Sequence, residues 1–136
     1  MRSRGTFDVT LAPLPAYDTS EGSKLGRMSI DKTYRGDLEG TGVGEMLTAF
    51  TDEKGSAAYV AIERVSGTLH GRSGTFILQH AGTMDQGVQE LIITIVPDSG
   101  TGQLAGLRGT LRITITEGVH SYELEHLLPG LPDATA

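Results

Sequence analysis

The chain has 136 residues, with 17 Asp and Glu against 11 Lys and Arg and a formal net charge of -6. That is one domain's worth of chain, and its charge opposes binding to a polyanion through counter-ion release. Hydrophobic residues at 38% and charged residues at 21% exclude a disordered or collagen-like chain, while the absence of Cys excludes disulfide scaffolds, thiolate metal sites and cysteine nucleophiles.

Period-two alternation dominates the regular segments. Residues 5–11 read as a first strand, with Phe7, Val9 and Leu11 on one face. Residues 12–24 hold Pro13, Pro15, Asp18, Ser20 and Gly22 and read as a long loop, and a loop of that length is expected to cover something. Residues 25–34 resume alternation, placing Met28, Ile30 and Tyr34 opposite Arg27, Ser29, Asp31 and Thr33. Residues 38–51 carry Gly40, Gly42 and Gly44 at one parity, so that one face is cleared for close approach. Residues 57–69 form a fourth strand and 75–84 a fifth, in which Phe76, Leu78 and His80 alternate with Ile77, Gln79 and Ala81. Residues 91–96 form a short β-branched sixth strand, Leu111, Ile113 and Ile115 mark a seventh, and 119–127 an eighth. Residues 1–128 then make a single domain and 129–136 a loose C-terminal tail.

No window carries a helical apolar stripe, so an all-β class with little or no helix is predicted. The chain has 19 Gly and no Asn, so turns that need positive φ must use Gly, with Asp assisting. Eight strands on such turns suggest a closed antiparallel eight-stranded β-barrel, which removes exposed strand edges and has an interior wide enough for side chains or one small ligand. A two-sheet sandwich is the alternative.

The segments at residues 36–40, 44–47, 63–69, 79–84, 99–102 and 106–109, taken in order, resemble the bacterial domain-of-unknown-function 3224 (DUF3224) family across residues 5–127. The resemblance implies a closed barrel of the calycin-like kind, similar to those of allene oxide cyclases and dirigent proteins. It implies no agreed activity, and function carried over from a shared barrel is analogy.

Ionisable residues set within apolar strands are the candidate chemistry. Glu45, Glu63 and His80 are the candidate catalytic residues, since a carboxylate or imidazole facing a barrel interior can move a proton. Tyr59, Met46, Phe76, His120 and Tyr122 are the candidate ligand-binding residues around them. The competing reading makes Glu63 and Arg64 part of an exposed ladder of cross-strand ion pairs, and makes His120 a structural residue beside a turn. Residues 100–105 fit G-x-G-x-x-A but open onto Gly106, Gly109 and a β-branched run rather than a helix, which argues against a dinucleotide site. The four His lie on separate turns and strands, so neither a metal nor another cofactor is expected.

Two functions follow. One is a barrel that binds a small apolar molecule or associates with copies of itself; the other is a small-molecule isomerase or cyclase in which Glu45, Glu63 or His80 moves a proton. Strands apolar on both faces, at 38–50 and 57–69, predict a homo-oligomer. No apolar stretch reaches the roughly 18 residues of a membrane helix, and the first ten residues lack a signal-peptide core. The expectation is therefore a cytoplasmic protein with no membrane or nucleic-acid partner.

Overall fold

A computed structural model describes residues 1–130. Eight strands run in chain order: β1 Arg2–Leu14, β2 Lys24–Gly36, β3 Leu38–Phe50, β4 Ala57–Leu69, β5 Arg72–Asp85, β6 Val88–Ile95, β7 Arg108–Thr116 and β8 Val119–Leu127. Each pairs antiparallel with the next, and β8 pairs with β1 through Arg2↔Glu125 to Phe7↔His120, closing the barrel. The sandwich alternative is thereby excluded. Most of the predicted tail at 129–136 lies outside the described residues.

Strands extend further than alternation alone marks them. β1 runs on through Pro13, where its only partner is β2: β8 has left the ladder at Phe7. The missing N–H of Pro13 therefore falls on an unpaired edge, the position a sheet tolerates. The long loop accordingly shrinks to residues 15–23.

Three hairpins turn on two residues with positive φ, His70-Gly71, Gln86-Gly87 and Glu117-Gly118. Their strands right-twist into one another as type I′ turns require. Glycine takes the second position each time, as the lack of Asn predicts. His, Gln and Glu occupy the first, where Asp was expected.

The two ends of the barrel differ. At the end where β2 leaves and β3 enters, the segment between β6 and β7 folds inward through a single 3-10 turn at Gly102–Leu104, and Leu104 and Leu107 are fully buried. That plug is stitched to β5: Thr101 N–H donates to Thr75 O at 2.8 Å, and Ser73 N–H to Gln103 Oε1 at 2.9 Å. The G-x-G-x-x-A run therefore makes a plug. Leu38, Val65, Leu69, Phe76, Leu78, Ile93 and Leu124 pack against it as one cluster, and each such side chain contributes about 1.5–3 kcal/mol by leaving water. The opposite end, beneath loops 15–23 and 51–56, has no such plug.

Candidate functional site

Strand parity decides which side chains face inward. On β2 these are Ile30, Lys32 and Tyr34; on β4 Ala61, Glu63 and Val65; on β5 Phe76, Leu78 and His80, all buried. Between β2 and β4 runs β3, whose inward positions opposite Ile30, Lys32 and Tyr34 are Gly44, Gly42 and Gly40. The glycine strip removes the side chains that would otherwise separate β2 from β4. Lys32 and Tyr34 reach across it to Glu63.

The result is a buried quartet. Lys32 Nζ donates to Glu63 Oε1 at 2.9 Å, the His80 Nε2–H donates to the same oxygen at 3.0 Å, and the Tyr34 hydroxyl donates to Glu63 Oε2. Lys32 Nζ also lies 3.4 Å from the Tyr34 oxygen and 4.8 Å from the Phe7 ring centroid, within cation–π reach. Glu63 is 0% exposed. Burial pushes its carboxyl pKa up, but the hydrogen bond from His80, the charge of Lys32 and the bonds from Tyr34 and Lys32 outweigh this and hold it below the ordinary value. Burial first, then the charge of Glu63, drives the Tyr34 hydroxyl strongly upward. Tyr34 is therefore a neutral donor and Glu63 an anion.

Above the quartet, at the unplugged end, a cavity of about 450 Å³ opens between the strands. Its walls include Leu11, Met28, Met46, Tyr59, Met84 and Leu91. Tyr59 lies across Gly82, where a Cβ would sit 2.6 Å from its Cε1. Met46, Ala61 and His80 occupy one cross-strand row, and Tyr59, Gly82 and Leu91 form the next row towards the mouth; His80 itself is not among the lining residues. The walls come from strands; residues 15–23 contribute none of them, so this loop does not form the expected cover over the cavity.

Of the three candidate acid–base residues, Glu63 and His80 meet and Glu45 does not join them. Glu45 has outward parity on β3 and is exposed, accepting a 2.7 Å hydrogen bond from Arg27 Nε. The ion-pair ladder considered for Glu63 belongs instead to Glu45. Tyr59 and Met46 line the mouth. Phe76 is packed in the plugged half, away from the cavity. Tyr122 is tied up at the same end: its oxygen accepts from Leu38 N–H at 2.9 Å and its hydroxyl lies 3.0 Å from Arg35 O. His120 is half-buried with its ring 5.2 Å from that of Phe7. Lys32 and Tyr34 complete the site, and the sequence's only sign of Lys32 is the parity it shares with Met28, Ile30 and Tyr34 in an alternating strand. Among the described residues no group of three His, Cys, Asp or Glu is arranged to hold a metal ion.

These features define a small closed barrel with an apolar mouth above a charge-balanced polar floor. The chain belongs to the family described as protein of unknown function (DUF3224), whose model matches residues 3–126. It is similar to the crystal structure of a DUF3224-family protein of unknown function from Shewanella oneidensis MR-1. The identity is 49%, the match covers 96% of this chain and 98% of that one, and the TM-score is 0.91. No curated protein matches the chain.

Proposed function

We propose that the protein binds a small apolar molecule in the open mouth of its barrel. The observation that carries this is the asymmetry of the two ends: one is packed shut by Leu104 and Leu107, whereas the other holds a cavity of about 450 Å³ walled by Leu, Met and Tyr side chains. Thioether side chains adapt to varied ligand shapes, and a concave apolar pocket with few polar groups is the usual form of a small-molecule site. The chain has no Trp, so an environment-sensitive naphthalene dye can be followed without interference from intrinsic indole emission. The dye is expected to brighten and shift blue on addition of protein, and Met46→Glu to abolish the change by placing a charge in the wall. An equal response from Met46→Glu would place the dye elsewhere and overturn the reading.

A proton-transfer enzyme is the second reading, and the quartet alters its cast. Glu63 already accepts from three donors and is held ionised, so it positions His80, and His80 is the group left to act on a substrate.

Self-association is proposed on separate grounds. On the outer face of the barrel, Leu47, Val60, Ala81 and Ile92 stand in one cross-strand row over β3 to β6, and Val43 and Ile62 beside it are more than half exposed. Glu45 opposes Ile62 and Val43 opposes Arg64, so Glu45 and Arg64 hold one diagonal of an otherwise apolar square. A two-fold axis along the other diagonal sets Glu45 of one copy over Arg64 of the next and Ile62 over itself, an isologous arrangement. Sedimentation is expected to show a dimer that Glu45→Arg or Arg64→Glu weakens and the double reversal restores. A wild-type monomer at micromolar concentration would sink the interface.

A further inference from the structure

Cross-strand pairing divides the inward side chains of the mouth into three rows. Met28 and Met46 belong to the lowest and Phe50 and Met84 to the highest. Between them Gly26, Thr48, Tyr59, Gly82 and Leu91 stand in one line from β2 to β6. The middle row therefore brings two hydroxyls to half-height, with thioethers below and Phe50 and Met84 above. Each leans away from the other over a glycine: a Cβ on Gly26 would sit 2.5 Å from Thr48 Oγ1, and one on Gly82 would sit 2.6 Å from Tyr59 Cε1. The two hydroxyls thus do not occupy each other. The Tyr59 hydroxyl makes no hydrogen bond to any described residue, and it is not sealed from solvent. Burial pushes its pKa above the ordinary tyrosine value, so it stays a neutral donor. The other polar side chains that line the mouth besides Thr48, those of Thr83, Gln89 and Glu90, are exposed.

We propose that the mouth takes a neutral apolar molecule bearing a carbonyl oxygen, a ketone or ester, and that the Tyr59 hydroxyl donates to that oxygen. This rests on the mouth reading and names the ligand class within it. A hydrocarbon lying along the middle row would take the hydroxyl out of water with no acceptor in return, a cost that a carbonyl removes. An ionised acid fares worse. Among the described residues lining the mouth there is no Lys, Arg or His, and Glu90 is one of them, so a carboxylate would leave water with no counter-charge. Gly82 has a part in this selection, because it gives the Tyr59 ring a seat on the barrel wall.

The test uses 2-acetylnaphthalene and 2-isopropenylnaphthalene, two probes of one shape that differ in having oxygen or methylene at one position. Equilibrium dialysis compares each probe with itself in wild type and Tyr59→Phe, so the difference in hydrophobicity between the probes cancels. The ketone is expected to bind Tyr59→Phe about fivefold more weakly than wild type, the net yield of one hydrogen bond. The alkene is expected to bind the variant at least as well as wild type, which also shows that the variant is folded. NMR of ketone labelled at the carbonyl carbon gives a readout that a merely structural role would not move: its resonance should lie further downfield in wild-type protein than in Tyr59→Phe. An undiminished ketone affinity in Tyr59→Phe, an equal loss for both probes, or the same carbonyl resonance in both proteins overturns the carbonyl inference, while the mouth reading stands if the alkene binds wild type. Failure of both probes to bind wild type overturns the two together.

Discussion

Replacing Glu63 by Gln is expected to lower the stability of the barrel by about 3–5 kcal/mol, the range for removing one partner of a buried ion pair, measured by urea unfolding followed with far-ultraviolet circular dichroism. Lys32 is 6% exposed in its side chain, so its ammonium would stay out of water with no carboxylate beside it. The aromatic contact to Phe7, worth about 2 kcal/mol for a desolvated cation, offsets only part of that. Adding Lys32→Met to the Glu63→Gln chain should recover most of the loss, because an apolar side chain of similar length asks for no partner. A loss below about 1 kcal/mol for Glu63→Gln would show that the ion pair does not govern the stability of this region.

The same variant has a defined acid dependence. The folded pKa of Glu63 lies below its ordinary 4.5, so the unfolded chain takes up the proton at higher pH than the folded one. The stabilising contribution of the carboxylate is therefore present in full above the ordinary carboxylate range. It drains away as pH falls below 4.5 and through the folded value. The difference in stability between wild type and Glu63→Gln should hold steady from about pH 7 to pH 5 and narrow below that. A difference that stays constant into the acid range would contradict an ionised Glu63 in the fold.

The closed barrel was legible because alternation and turn chemistry are local. Residues 57–69 read as a strand and form one, and the lack of Asn pointed correctly to Gly in the hairpin turns. The site was legible only in part because parity within one strand does not say which face is inside. Glu45 and Glu63 each sit between residues that pack well on either face; register across β3 and β4 places Glu45 outside and Glu63 within. His80 needed no register to be suspected, since it shares its face with Phe76 and Leu78. Lys32 was a different matter. Its parity alone placed it beside Ile30 and Tyr34, but a Lys on an apolar face has no evident reason to be there until its carboxylate, 31 residues later in the chain, is known.

Gly42→Ala is expected to cost about 1–3 kcal/mol, the range for forcing a methyl into a packed interior, and the cost should depend on Glu63. A Cβ at residue 42 would collide with Glu63 Oε2 and lie 2.9 Å from its Cδ and 3.1 Å from Tyr34 Cε2. The carboxylate cannot swing aside without giving up Lys32, Tyr34 or His80. At Gly44 the obstruction is of another kind: a Cβ there would meet the backbone of Ile62 and Glu63, which no side-chain truncation relieves. In a Lys32→Met, Glu63→Ala background, the Gly42→Ala cost should therefore largely vanish while the Gly44→Ala cost persists. The coupling for the first pair should be about 1 kcal/mol or more, beyond the few tenths that independent sites show. Strictly additive costs for Gly42 would mean that the glycine serves only the approach of β3 to β4. Coupled costs would mean that the glycine face of β3 is shaped around the carboxylate of Glu63.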